Sequence, residues 1–180
     1  MEDSSSIIAV ISAIVALLSV IVSVIIAWSN KASQKYDNLM RQITTYSKPE
    51  MMLSIRRLWD LYRDYGESNF LNKYIEIVSK EEKILTRKMG AEKLGFTITT
   101  LHYQRRMVAA FWRGLAVLLR NGLVPKKAVY QWWNQNDVEI IIKILLPLED
   151  RVSEHFHISK LKEGSDPLYY LRDRIGNFYK

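Results

Sequence analysis

Residues Ile7 to Trp28 read IIAVISAIVALLSVIVSVIIAW, 22 positions without a charge or a proline. As a helix this run is about 33 Å long, at about 1.5 Å per residue, against a bilayer hydrocarbon layer of about 30 Å. Ile and Val favour strands in water. In lipid, however, a lone strand leaves every backbone N–H and C=O unpaired, so the segment is read as a transmembrane helix. A cleaved signal peptide opens on positive charge and carries a shorter apolar core, whereas this chain opens MEDSSS.

Charge is distributed to one side of that run. All 26 Lys and Arg follow residue 30, against 17 Asp and Glu in the same stretch, a formal +9. Lys31, Lys35 and Arg41 flank the span closely and no basic residue precedes it. The positive-inside rule therefore predicts a single-pass protein of the cytoplasmic membrane, with its short acidic N-terminus outside and its C-terminal region in the cytoplasm. The chain has no cysteine, which excludes disulfides, thiolate metal ligands and thiol catalysis.

Within the span Ala9, Ser12, Ala16, Ser19 and Ser23 step by 3 and 4, a stripe of small residues with a period of about 3.5. Such a stripe lets two membrane helices approach closely, so self-association through it is expected. Beyond Trp28 no Gly or Pro interrupts until Pro49, and Ala32, Tyr36, Leu39, Ile43 and Tyr46 form a second stripe in a different register. This is read as a juxtamembrane helical stalk.

The chain thus divides into a short extracytoplasmic N-terminus (1–6), the transmembrane helix (7–28), the stalk (29–48) and a basic helical domain (49–180). Ser47 with Glu50 forms a capping-box pattern, and Met52, Ile55, Leu58, Trp59, Tyr62 and Tyr65 predict a core-facing stripe that ends at Gly66. A third stretch starts near Ser68, with a restart expected at Ser79 and Glu82. Gly90 and Gly95 bracket a loop. A long helix is predicted from Ile98 to Arg120, stopped by Asn121-Gly122 and followed by a helix opening at Pro125. Asn136 with Glu139 is read as the cap of EIIIKILL, which Pro147 breaks or kinks. Asp166-Pro167 opens a last short helix. With no strand pattern, the predicted fold is all-α.

The segment HYQRRMVAAFWRGLAVLLRNGLVPKKAV (His102 to Val129) follows an N-terminal anchor and stalk. This arrangement resembles a family of small prokaryotic single-pass membrane proteins with a C-terminal helical domain of unknown function, over about Ser47 to Glu149. The resemblance implies an anchored helical domain and brings no catalytic residue with it.

Candidate sites come from side-chain patterns. On the long helix Arg106, Arg113 and Arg120 fall within about 40° of one another, opposite the stripe of Val108, Phe111, Leu115, Leu118 and Leu119. The ridge, with Lys126 and Lys127, is a candidate anion-binding surface. The competing and preferred reading pairs it with acids, for which Asp60, Asp64 and Glu76 are the sequence candidates. His102, His155 and His157 match no metal-ligand spacing, Asp60 and Asp64 are flanked by arginines that would pair with them, and Trp112, Trp132 and Trp133 are read as core. No phosphate-cradling glycine loop or nucleophile elbow is present in the sequence. The sequence is therefore read as a membrane-anchored interaction or scaffold module, self-associating and non-catalytic, without cofactor or metal. Its expected partners are the lipid bilayer, a second copy and an unidentified protein. Two alternatives stand beside it: a binder of anionic ligands at the membrane surface (lipid headgroups, or less favoured, nucleic acid), and a membrane-active effector of phage or defence type.

Overall fold

The computed structural model describes residues 2–87, 99–156 and 166–178, with side chains described for 12–84, 99–156 and 166–174. All described secondary structure is helical. A long apolar N-terminal helix, α1 (Glu2–Tyr46), leads into α2 (Pro49–Arg87), α3 (Leu101–Arg120), α4 (Lys126–Trp132), α5 (Gln135–Ile140), a π-helical segment (Ile141–Leu145), α6 (Leu146–His155) and α7 (Pro167–Phe178). The loop bracketed by Gly90 and Gly95, the start at Ile98 and His157 lie outside the described residues.

α3 is the central strut, packed against α2, α7, α1 and the π segment. Its buried positions, from Leu101 through Val108, Phe111, Trp112 and Leu115 to Leu119, follow the apolar stripe of the sequence. Its N-terminus is held twice. Thr100 Oγ1 accepts from Tyr103 N (3.2 Å), and the Glu81 carboxylate accepts from Leu101 N (3.0 and 2.9 Å), placing negative charge where the helix leaves donors unpaired. Its C-terminus closes at Gly122, whose φ of +66° favours glycine, with Leu123 N donating to Leu118 O (2.9 Å) and Gly122 N to Leu119 O (3.2 Å).

α2 bends at Gly66 (φ 68°, ψ 167°), a backbone conformation that side chains with a Cβ rarely adopt, so the predicted stop is a kink between two helical arms. The arm before it buries Met51, Ser54, Leu58 and Leu61, while Met52 and Tyr65 are exposed. The core face is thus turned by about one residue from the predicted stripe. Ser54 tolerates burial because its Oγ donates to Glu50 O (2.6 Å). The second arm buries Phe70, Tyr74 and Val78 at a spacing of four. No restart occurs at Ser79 and Glu82, since the helix continues through them to Arg87.

Two local expectations shift. α5 is capped by Asn134, not Asn136: Asn134 Oδ1 accepts from Asp137 N and Asp137 Oδ2 from Asn134 N, both at 3.1 Å. Pro147 interrupts nothing outright. It lacks the N–H that Lys143 O would use, and the backbone widens just before it, with Leu146 N donating to Ile141 O across five residues.

The last turns of α1 belong to the body. Leu39 and Ile43 are buried, and the Tyr46 ring sits against Phe111, Trp112 and Trp133 with centroids 5.3, 5.8 and 5.9 Å away. Tyr46 OH donates to Asp137 Oδ1 (3.0 Å), and burial together with that carboxylate raises the phenol pKa above its usual range. Burying Leu39 and Ile43 contributes about 1.5–3 kcal/mol each, so the long apolar helix is clamped to the body, not hung from it by a linker.

Candidate functional site

From Ser12 to Gln34 every side chain of α1 is exposed, including Leu17 at 63% and Trp28 at 79%. One helix near the N-terminus is therefore long and apolar enough to cross a membrane, and none of that apolar stretch is covered by the body. Each exposed Leu, Ile or Val of this stretch forgoes roughly 1.5–3 kcal/mol of burial in water, and an apolar surface of this extent marks a contact with a membrane or with another protein. Of the small-residue stripe, Ser12, Ala16, Ser19 and Ser23 lie exposed on it, and the Ala9 side chain falls outside the described residues. Ser19 Oγ donates to Val15 O (2.9 Å) and Ser23 Oγ to Ser19 O (2.8 Å), so both hydroxyls are satisfied within their own helix.

The arginine ridge divides into three unlike positions. Arg106 is exposed. Arg113, one helical heptad on, is locked: its Nε donates to both oxygens of Asp166 (3.1 Å each), and its Nη2 to Asp166 Oδ2 (2.7 Å) and Glu149 Oε2 (2.9 Å). Burial works against this guanidinium's charge, but the hydrogen bonds to Asp166 and Glu149 outweigh it and raise its pKa. Arg120 is exposed at the end of α3, and Lys126 and Lys127 are exposed on the first turn of α4. The acids that hold Arg113 are not those suggested by the sequence. Asp60 pairs with Arg56 and Arg63, and Glu76 with Lys73 and Lys80, each within α2.

Arg105, which the sequence pattern does not single out, is the buried arginine of α3, 4% exposed and paired with Glu149 Oε1. Glu149 thus bridges two arginines from α6, and Asp166 joins from the start of α7, where its Oδ1 also accepts from Leu168 N (2.9 Å). Around this cluster lie the Tyr74 hydroxyl and His102. Burial raises the Tyr74 pKa, against the opposing pull of Arg105. Burial and then the charges of Arg105 and Arg106 lower His102 to about 4, so it is neutral at physiological pH.

No family model, curated protein or solved structure matches the chain.

The chemistry of the site must then be read from its own geometry. All four carboxylate oxygens of Glu149 and Asp166 are engaged by arginines, which suits them to fasten α3, α6 and α7 together and leaves them poorly placed as bases or nucleophiles. Among the described residues no group of three or more His, Cys, Asp or Glu is arranged to hold a metal ion. Trp112 and Trp133 are buried in the core, whereas Trp132 is 57% exposed and lines a cleft of about 350 Å³ with Ile43, Tyr46, Ser47, Met52 and Trp133. A second cleft of about 500 Å³ lies along the outer side of α1, between Asp37, Met40, Arg41, Thr44, Thr45 and Lys48.

Proposed function

We propose that the protein is a membrane-anchored helical interaction module that self-associates through α1 and has no catalytic activity of its own, with the helical body on the cytoplasmic side. The observation that carries this reading is the division of α1 between two jobs. Its lower end is consumed by the body, and its upper part is wholly uncovered.

The faces used are different. With Asn38 set at zero on a 100° wheel, Leu39, Gln42, Ile43 and Tyr46 fall between about 40° and 140°, whereas Ser12, Ala16, Ser19 and Ser23 fall between about 260° and 320°. The docked body therefore leaves the small-residue stripe open. Continuing the same steps of 3 and 4 gives Ile26, Asn30, Ser33, Asp37, Met40 and Thr44, all exposed. An uncovered, body-free stripe from Ser12 to Thr44 is what a second copy needs to pack closely. The stalk stripe of Leu39, Ile43 and Tyr46 is already occupied, so it is the anchor that supports self-association. Orientation rests on Lys31, Lys35 and Arg41 immediately below Trp28.

The test is a membrane two-hybrid assay on the full chain. Ala16→Leu with Ser23→Leu adds bulk to the stripe without reducing apolarity, and the association signal should fall. Ala13→Leu, on another face, should leave it close to the parent. Equal loss from both would sink the specific interface.

A further inference from the structure

We propose that the turn between α3 and α4, with Arg120, Leu123, Lys126 and Lys127, rests against anionic lipid headgroups of the leaflet from which α1 emerges. The proposal rests on the reading of α1 as a membrane span. It adds a second contact with the bilayer, on the body itself.

Height comes from α1, which is one continuous helix from Glu2 to Tyr46 and so serves as a ruler. Asn38 Nδ2 donates to Leu123 O (3.1 Å), tying the turn to α1 ten residues past Trp28. That is about 15 Å along the axis. The headgroup layer beyond the hydrocarbon takes up about 5–8 Å of it. The remaining gap of about 7–10 Å is close to one Debye length at physiological ionic strength, and tilting of α1 by about 20° towards the body narrows it further.

Direction comes from the pairing of the two helices. Tyr46 of α1 meets Phe111 and Trp112 midway along α3, whereas Asn38, eight residues nearer the span, meets Leu123 beyond its end. α3 therefore runs towards the bilayer and delivers its C-terminus there. The partial negative charge of a helix C-terminus opposes an anionic surface, and Arg120 in the last turn counters it.

Composition fits the placement. From Lys93 to Asn136 the sequence contains no Asp or Glu. Arg120, Lys126 and Lys127 are exposed and form no ion pair with another described residue. Leu123 is 45% exposed between Gly122 and the buried Val124, an apolar tip amid basic neighbours. Lys31 and Lys35 share a stripe of α1 with Asn38, at steps of 4 and 3, and so occupy the gap between the turn and the membrane. Asp37 is the one acid on α1 between Trp28 and Tyr46. The ridge thereby resolves. Arg106 lies about 21 Å back along α3 from Arg120, Arg113 is spent on Asp166 and Glu149, and of the three only Arg120 reaches the lipid.

The absence of native cysteine makes a direct test simple. The full chain is placed in nanodiscs of phosphatidylcholine alone or with about one third phosphatidylserine, each with a trace of lipid carrying a headgroup nitroxide. A fluorophore is attached to single variants Trp28→Cys, Leu123→Cys or Tyr103→Cys. Strong quenching is expected at 28 in both lipids, at 123 only with phosphatidylserine, and at 103 in neither. Replacing Arg120, Lys126 and Lys127 by Gln should reverse the quenching at 123, with each charge removed shifting the contact equilibrium about fivefold, as should high salt. Quenching at 28 but not at 123 overturns the proposal and leaves the span intact. Quenching at 123 that ignores lipid charge overturns headgroup recognition. No quenching at 28 removes the span, and the proposal with it.

Discussion

Replacing Arg113 by Met removes the one cation shared by Asp166 and Glu149 while keeping an apolar stem of similar length. Glu149 retains Arg105, but Asp166, whose side chain is 7% exposed, loses the one arginine paired with it among the described residues and keeps the Leu168 N–H. Stranding a buried carboxylate costs on the order of 3–5 kcal/mol, and the 30% exposure of the Arg113 side chain places this case at the lower end, about 3 kcal/mol. Against a total stability of about 5–15 kcal/mol that is severe, and for a body of this size it corresponds to a fall in Tm of roughly 10 °C. Arg106→Gln and Arg120→Gln, at exposed positions, should each stay within about 0.5 kcal/mol of the parent. The assay is thermal unfolding of the full chain in nanodiscs, followed by near-ultraviolet circular dichroism, which reports the packed Trp112 and Trp133. Adding Asp166→Asn to Arg113→Met removes the stranded charge and keeps an oxygen for Leu168 N, so the double variant should recover much of the loss. If Arg113→Met melts within about 2 °C of the parent, or no lower than Arg106→Gln, the ion-pair cluster does not fasten the body and the reasoning fails.

His102 should make stability depend on pH. Its folded pKa of about 4 lies below the unfolded value near 6.5, so the unfolded chain takes up the proton first and stability falls as pH drops from about 6.5 towards 4. Discounted for partial exposure, the loss is on the order of 1–2 kcal/mol, and denaturant titration of His102→Gln should show that part of the slope gone. The two glycines should answer oppositely to alanine. Gly66→Ala keeps open space around the new Cβ but forces an unfavourable backbone, costing about 1–3 kcal/mol, whereas Gly114→Ala, mid-helix in α3 and equally unobstructed, should add about 0.5–1 kcal/mol. Urea midpoints of both variants check the sign.

Periodic and terminal signals carried most of the fold into the sequence. The long apolar helix, the bend at Gly66, the stop at Asn121-Gly122 and the start at Asp166-Pro167 are each set by residues within a turn or two of the feature. Degenerate local patterns failed. Asn134-x-x-Asp137 and Asn136-x-x-Glu139 look alike in sequence, and the helix starts at the first. The stripe on α2 slipped by a residue because Ser54, not read as core, is buried once its hydroxyl bonds to Glu50 O. The cluster around Arg113 was half legible. Its tendency to pair could be inferred from flanking Ala109 and Ala110, but its partners lie 36 and 53 residues away, beyond any helical pattern. Arg105 escaped for the same reason: an arginine beside an apolar face reads as exposed until Glu149 on α6 is known to face it. The Asn38–Leu123 bond between α1 and the turn after α3, spanning 85 residues, left no trace in the sequence at all.

The most direct test of an anchored body with its N-terminus outside is thiol accessibility in intact cells, again exploiting the lack of native cysteine. Single variants Ser4→Cys, Val15→Cys and Asn136→Cys are exposed to a membrane-impermeant maleimide before and after the membrane is permeabilised. Labelling is expected at position 4 from outside, at 136 only after permeabilisation, and at 15 under neither condition, as a position within the hydrocarbon would behave. Labelling of 136 from outside would reverse the orientation, and labelling of 15 in intact cells would contradict the membrane span itself.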